Sequence, residues 1–215
     1  MFFITGTNTG AGKTFFTSLL VRALRAEGIN AVGFKPICSG DRSDPEILVA
    51  ASDNALTLNE CNPVWLRPPV SPYAASLMEN RQVDLDLIFD QFSTLKTRFA
   101  AVIVEGVGGW RVPIRRDYFV SDLAREIGQP IIVVAANQLG ALNHTLLTLD
   151  GIQSAGLPVA GIVLNTLAES PDDPAILTNR SILEDLTRIP VLTELMLGQS
   201  VIAPHIAKKI AAGAG

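Results

Sequence analysis

The sequence predicts an α/β fold, a three-layer arrangement in which a mostly parallel sheet carries helices on both faces. Three observations support that expectation. Short apolar, β-branched-rich runs recur at Phe2–Thr5, Ala31–Phe34, Ala101–Val104, Pro130–Ala135 and Val159–Leu164. They lack two-residue alternation, the mark of strands covered on both faces. Helical stretches at Lys13–Glu27, Val120–Ile127 and Ala141–Ala155 are closed by Gly28, Gly128 and Gly156, the expected stop for a helix. The first strand also breaks into a glycine-rich turn that opens a helix.

That turn, Gly6-Thr7-Asn8-Thr9-Gly10-Ala11-Gly12-Lys13-Thr14, has the layout of a phosphate-binding loop. Its glycines let backbone N–H groups turn inward around a polyphosphate, Lys13 adds a charge on the outer oxygens, and the Thr14 hydroxyl can ligate magnesium. Five residues separate Gly6 from Gly12-Lys13-Thr14 where the general motif has four, so the loop is a lengthened variant. The fold class is therefore refined to P-loop NTPase-like.

The second strand ends directly in Lys35, within Gly33-Phe34-Lys35-Pro36-Ile37-Cys38-Ser39-Gly40. A lysine there lies at the carboxyl edge of the sheet, the edge on which the phosphate loop opens. Alone it reads as a solvated strand end. Beside Lys13 it becomes a second cation for a transferring phosphoryl group. Ser39 either donates to a substrate or caps the turn, and Cys38 reads as a small buried filler.

Ser39 to Leu95 is long for a crossover and holds Pro63, Pro68, Pro69 and Pro72 between expected helices at Pro45–Ser52, Pro72–Asn80 and Asp84–Thr97. An insertion beside a phosphate loop suits substrate recognition. The third strand runs into Glu105-Gly106-Val107-Gly108-Gly109-Trp110, placing a carboxylate where phosphate-loop enzymes keep a magnesium-organising acid, with glycines that admit close backbone approach. Asp53 is a candidate further acidic ligand, although by itself it is a helix-region surface acid. Asn165 ends the fifth strand, where an amide could read a nucleobase edge or simply turn the chain.

At 215 residues and 48% hydrophobic content, the chain can bury a substantial core as one domain spanning 1–215, with 211–215 expected to fray. A net charge of -4 gives no basic field, which argues against nucleic acid as the main partner. Cys38 and Cys61 lack metal-ligand spacing and suit a reducing, cytoplasmic compartment. No signal peptide or membrane span is visible.

Taken together, these segments resemble the dethiobiotin synthetase family. The lengthened loop, Gly33-Phe34-Lys35-Pro36 with Ser39-Gly40, Ser71-Pro72-Tyr73, Val104-Glu105-Gly106 with Gly108-Gly109-Trp110, Leu139-Gly140-Ala141-Leu142-Asn143-His144 and Gly161 to Asn165 occur in the family's order over most of the chain. The resemblance implies ATP and Mg2+, a 7,8-diaminononanoate substrate and CO2. It also implies the reaction: an amine captures CO2 as a carbamate, ATP phosphorylates the carbamate, and the second amine closes the cyclic urea.

Carried over, Thr9, Lys13, Lys35 and Ser39 surround the carbamate and γ-phosphate, with Lys35 as the catalytic lysine. Thr14, Asp53 and Glu105 hold the metal. Gly10, Ala11, Gly12, Lys13, Thr14 and Phe15, together with Glu105, Gly106, Val107 and Gly108, line the phosphates, while Asn165 and Thr166 meet the base. The stretch containing Leu142 and Asn143 lies at a twofold interface of a homodimer and binds the substrate's carboxylate tail, with His144 an interface or core residue. Where the family commonly has aspartate, this chain has Asn8, and Pro190–Leu197, the loop bordering the base, departs from the family's usual reading.

Two rivals share the broad fold. Partition and septum-site ATPases place a second lysine in the phosphate loop, whereas Lys13 is the sole lysine in this one. The synthetase half of a corrin-ring amidotransferase needs a glutaminase domain that these 215 residues do not include.

Overall fold

The computed structural model describes residues 1–167, 173–203, 206–208 and 210. The chain begins with β1 (Phe2–Gly6), α1 (Lys13–Ala26), β2 (Ala31–Phe34), β3 (Ile37–Ser39), α2 (Ser43–Ala51) and α3 (Leu58–Cys61). It continues through β4 (Val64–Leu66), α4 (Pro72–Met78), α5 (Leu85–Arg98), β5 (Ala101–Gly109), β6 (Pro113–Arg115) and β7 (Tyr118–Phe119). The remainder is α6 (Val120–Ile127), β8 (Ile131–Ala136), α7 (Ala141–Ser154), β9 (Val159–Asn165), α8 (Pro174–Thr187) and β10 (Val191–Leu195).

Six strands form one parallel sheet in the order β10-β9-β8-β1-β5-β2. Side chains alternate across it. Phe3, Val104, Val133 and Leu164 enter one apolar cluster with α5, α6 and α7, and Phe2, Ile4, Ile103 and Val134 enter another with α1. Burial on both faces accounts for the continuous apolar runs in the sequence. β1 lies between β5 and β8, so the chain leaves it to build one half of the sheet and returns to build the other. The loop after β1 therefore opens at the switch point, where parallel sheets hold their ligands.

Several elements extend beyond the expectation. α8 had no counterpart in the expectation, and β10 replaces an expected loop: Thr193, Glu194 and Leu195 pair with β9, so most of Pro190–Leu197 is an edge strand. Gly161 makes room for it, because a β-carbon there would come within 2.4 Å of the Leu192 side chain. The insertion contains a small parallel pair, β3 with β4, that holds Ser39 over the sheet edge. The expected frayed tail at 211–215 lies outside the described residues.

Candidate active site

The phosphate loop is built around Gly12. This residue has φ +91°, and a β-carbon would come within 1.9 Å of the Asn165 amide nitrogen. Only glycine fits both the left-handed backbone and that approach. Asn165 donates its Nδ2 hydrogen to the Ala11 carbonyl at 3.0 Å, so the end of β9 braces the loop from behind. Lys13, buried at the start of α1, donates to the Asn8 carbonyl at 3.3 Å. Burial, followed by repulsion from Lys35, lowers its pKa to about 8.

Lys35 leaves β2 at the same edge. Its backbone is fixed by the N–H bond to the Cys61 carbonyl at 2.9 Å, and its ammonium reaches Glu105 at 2.5 Å and Asp44 at 2.9 Å. Burial alone would depress this lysine, but the two carboxylates outweigh it and hold its pKa above the ordinary value. Asp44 experiences the reverse. Its partial burial is outweighed by Lys35 and by the Thr14 hydroxyl, and its pKa lies below the usual range.

Glu105 is fully buried on β5. Its Oε1 accepts from both Lys35 and Thr14, the latter at 2.6 Å, while Oε2 is buried without a partner. The Thr14 hydroxyl and the Asp44 and Glu105 carboxylates form an all-oxygen set suited to magnesium, which takes one or two carboxylates and completes its shell with water and phosphate oxygens. The unpartnered Oε2 fits that use.

Lys13, Thr14, Lys35 and Asp44 border a cavity of about 530 Å³, while Glu105 reaches it only through its contacts with Thr14 and Lys35. Thr9, Gly10, Gly12, Thr14 and Phe15 form one wall, Lys13 and Lys35 the polar floor, and Val107 and Gly108 the side toward β5. Ser39 closes the far side with its hydroxyl buried and unpartnered. Gly106 lies beneath, where a β-carbon would meet Phe3 and Val120 at 3.2 to 3.3 Å.

Asp53 requires a correction. It lies beyond the C-terminal end of α2, with a side chain 71% exposed and paired to Arg25 at 2.6 Å. Arg25 belongs to the last turn of α1, whose first residue is Lys13, so Asp53 is a helix length away from Thr14 and Glu105. The second carboxylate of the site is Asp44, in the first turn of the same α2. The signal was Ser43-Asp44-Pro45, a helix start immediately after Ser39-Gly40.

Leu142 and Asn143 are not brought to this cavity. Leu142 packs partly buried on the sheet's core and Asn143 is exposed on α7. His144 borders a separate cavity of about 460 Å³ with Asn8 and Trp110. Thr166 is buried beside Asn165, with its hydroxyl unpartnered.

A lysine-tipped loop between β1 and α1 of a parallel sheet, with an acid on the adjacent strand, defines a P-loop nucleotide-binding protein. Solved structures agree on that fold: a chain of the MinC:MinD cell division protein complex of Aquifex aeolicus (TM-score 0.59, 13% identity, 99% of this chain and 85% of that one) and a ParA family ATPase from Chlorobium tepidum (TM-score 0.56, 13%, 99% and 90%). A family model described as an AAA domain matches residues 1–204.

The chain belongs to the family of ATP-dependent dethiobiotin synthetases. It is 46% identical to the ATP-dependent dethiobiotin synthetase BioD of Akkermansia muciniphila over 92% of each chain. It is 35% identical to the enzyme of that name from Bacillus subtilis, over 89% of this chain and 84% of that one.

Proposed function

We propose that this chain closes the ureido ring of dethiobiotin from 7,8-diaminononanoate, CO2 and ATP. The observation that carries the reading is the buried Lys35, held by Glu105 and Asp44 at the cavity floor beside Lys13. A site that must stabilise a carbamate and a transferring phosphoryl group needs fixed positive charge where anionic oxygens accumulate. In the reaction, one substrate amine bonds to the carbon of CO2 and loses a proton, giving a carbamate. A carbamate oxygen takes the γ-phosphoryl group as ADP leaves, and the second amine attacks the activated carbon, expels phosphate and loses a proton, which leaves the neutral cyclic urea.

Lys35 and Thr9 orient the carbamate, and the Ser39 hydroxyl gives it a hydrogen bond. Lys13 and the N–H groups of Gly10 to Phe15 neutralise the phosphates as the bridging bond to ADP breaks. Thr14, Asp44 and Glu105 would hold magnesium, which would neutralise charge on the nucleotide's phosphates when bound. Asn165, through its contact with Ala11, and Thr166 flank the base side of the loop.

The active unit is a cytoplasmic homodimer in which α7 and the exposed Leu139 and Leu147 meet their symmetry mates, bringing Leu142 and Asn143 toward the partner's substrate tail. Among the described residues, no helix is long and apolar enough to cross a membrane. Incubation with diaminononanoate, bicarbonate, magnesium and ATP tests the chemistry: dethiobiotin, ADP and phosphate should form in equal amounts. ATP hydrolysis without dethiobiotin would return the chain to the switch-ATPase class. Light scattering tests the assembly, and a fully active monomer would remove the shared site.

A further inference from the structure

Outside the cavity, a buried polar cluster joins the two segments that carry Lys35 and Asp44. Asn62, the residue after α3, is 2% exposed. Its Nδ2 donates to the Lys35 carbonyl at 2.9 Å and to the Val64 carbonyl at 3.0 Å. Its Oδ1 accepts from Arg42 Nε at 3.2 Å, and its backbone carbonyl accepts from Arg42 Nη2 at 3.0 Å. The same guanidinium donates to the Leu58 carbonyl and to Asn59 Oδ1, each at 3.1 Å. Arg42 directly precedes α2, two residues before Asp44.

The cluster extends to a third part of the site. The Arg42 guanidinium lies over the Trp65 ring, 5.4 Å from its centroid, and Trp65 Nε1 donates to the Gly40 carbonyl at 2.7 Å, next to Ser39. A planar fork with five donors can hold several acceptors at once, which a lysine cannot. None of Arg42, Asn62 and Trp65 lines the active-site cavity. They touch it only through the backbone of Lys35, Gly40 and the start of α2.

We propose that Arg42 and Asn62 are positioning residues that hold Asp44 and Lys35 in register, and so set both magnesium affinity and the rate of phosphoryl transfer. The proposal rests on the proposed function for its rate component alone. Asp44 approaches the site from a partly exposed helix end, its side chain 43% accessible, and needs an anchor to stay 2.9 Å from Lys35. Outer-shell partners of this kind are worth about tenfold or more in metal affinity, and small misplacements near phosphoryl transfer lower turnover by similar factors.

The test uses Arg42→Ala, Arg42→Lys, Asn62→Ala and the double variant Arg42→Ala/Asn62→Ala. The control is Arg67→Ala, because Arg67 stacks on Trp65 at 5.8 Å outside the Asn62 cluster. Calorimetry of ATP binding at graded magnesium reads the metal requirement without turnover, and dethiobiotin formation reads kcat and KM. Arg42→Ala is expected to raise the magnesium half-saturation roughly tenfold and lower kcat roughly tenfold, with KM for the diamine little changed. Arg42→Lys should not rescue, the double variant should be no worse than the worse single variant, and Arg67→Ala should match the wild type.

A folded Arg42→Ala protein with wild-type magnesium dependence overturns the proposal. Should Asn62→Ala fail to fold, the half-buried Arg42 variants decide alone. Absence of dethiobiotin from the wild type would remove the proposed function, and the magnesium titration of nucleotide binding would still decide the clamp.

Discussion

The Lys35 ammonium lies 2.5 Å from the Glu105 carboxylate, with side chains 3% and 0% exposed. Taking one partner of such a pair away leaves a buried charge uncompensated, a loss of about 3–5 kcal/mol. Glu105 therefore acts structurally on Lys35 as well as on Thr14. The end of β2 beside the middle of β5 brings these two residues together, and their register follows from the pairing of Phe34 with Val104, one residue before each.

Lys35→Ala and Lys13→Ala should each abolish measurable ring closure, since each removes charge from a largely dry, anion-filled site where a single contact is worth about 3 kcal/mol or more, roughly a hundredfold or greater in rate. They should differ in kind. Lys13→Ala should also weaken ATP binding by calorimetry, whereas Lys35→Ala should leave it mostly intact and show its structural cost as reduced thermal stability. Near-normal turnover by the Lys35 variant would remove that residue from the mechanism.

The two aspartates make an opposed pair. Asp44→Asn should raise the magnesium concentration needed for turnover by about tenfold, while Asp53→Asn should leave the magnesium titration unchanged and lose only an exposed ion pair with Arg25, worth about 1 kcal/mol or less. The reverse pattern in parallel magnesium titrations would restore Asp53 to the site.

The confusion between these aspartates shows what periodicity can and cannot locate. Asp44 and Asp53 each follow a serine, one in the first turn of α2 and one just past its end, so composition gives them equal standing. Asp44 is in the first turn of α2 and Asp53 lies past its last residue, so the nine-residue helix, roughly 13 Å long at 1.5 Å per residue, separates them, and only its direction decides which one reaches Glu105. The phosphate loop, by contrast, is legible because its function is local: Gly12, Lys13 and Thr14 are adjacent in sequence. Lys35 was legible because it directly follows the buried strand β2, and Glu105 because it interrupts the apolar run Ala101–Val104 that opens β5. β10 was not, because its register shifts between Val191 and Thr193, so that Val191 enters one apolar cluster while Leu192 and Leu195 enter the other, which hides the alternation. The clamp of Arg42 and Asn62 joins segments twenty residues apart, with no motif to announce it.

Lys13 makes the ligand-free protein sensitive to alkaline pH in a direction fixed by its shift. Folded, it releases its proton near pH 8, and unfolded near 10.5. Between those values the unfolded chain holds more protons, so this group's contribution makes stability rise with pH from about 8 to about 10.5. Chemical denaturation across that window should show the rise in the wild type and lose it in Lys13→Met. Nucleotide phosphates favour the charged lysine, so ATP binding above pH 8 should take up a proton, read as a buffer-dependent binding enthalpy. A proton-neutral binding enthalpy at pH 9 would contradict the shift.

Gly12→Ala should be damaging out of proportion to its single methyl. The left-handed backbone alone disfavours alanine by about 1–2 kcal/mol, and the new β-carbon would overlap the Asn165 amide. ATP binding should fall sharply. Adding Asn165→Ala removes the overlap and not the backbone strain, so partial recovery of binding is expected. Full recovery or none would show that the contact between β9 and the loop is not the constraint described here.

The most direct measurement supplies carbon-13 bicarbonate with diaminononanoate, ATP and magnesium to the wild type and to Lys35→Ala, and weighs the product. A site that captures CO2 on one amine and closes the ring with the other should yield dethiobiotin carrying the label at its ureido carbon in the wild type, and essentially none in the variant. Labelled product formed equally by both proteins would contradict the role of the Lys35 site. ATP consumption without labelled dethiobiotin would contradict the synthetase itself.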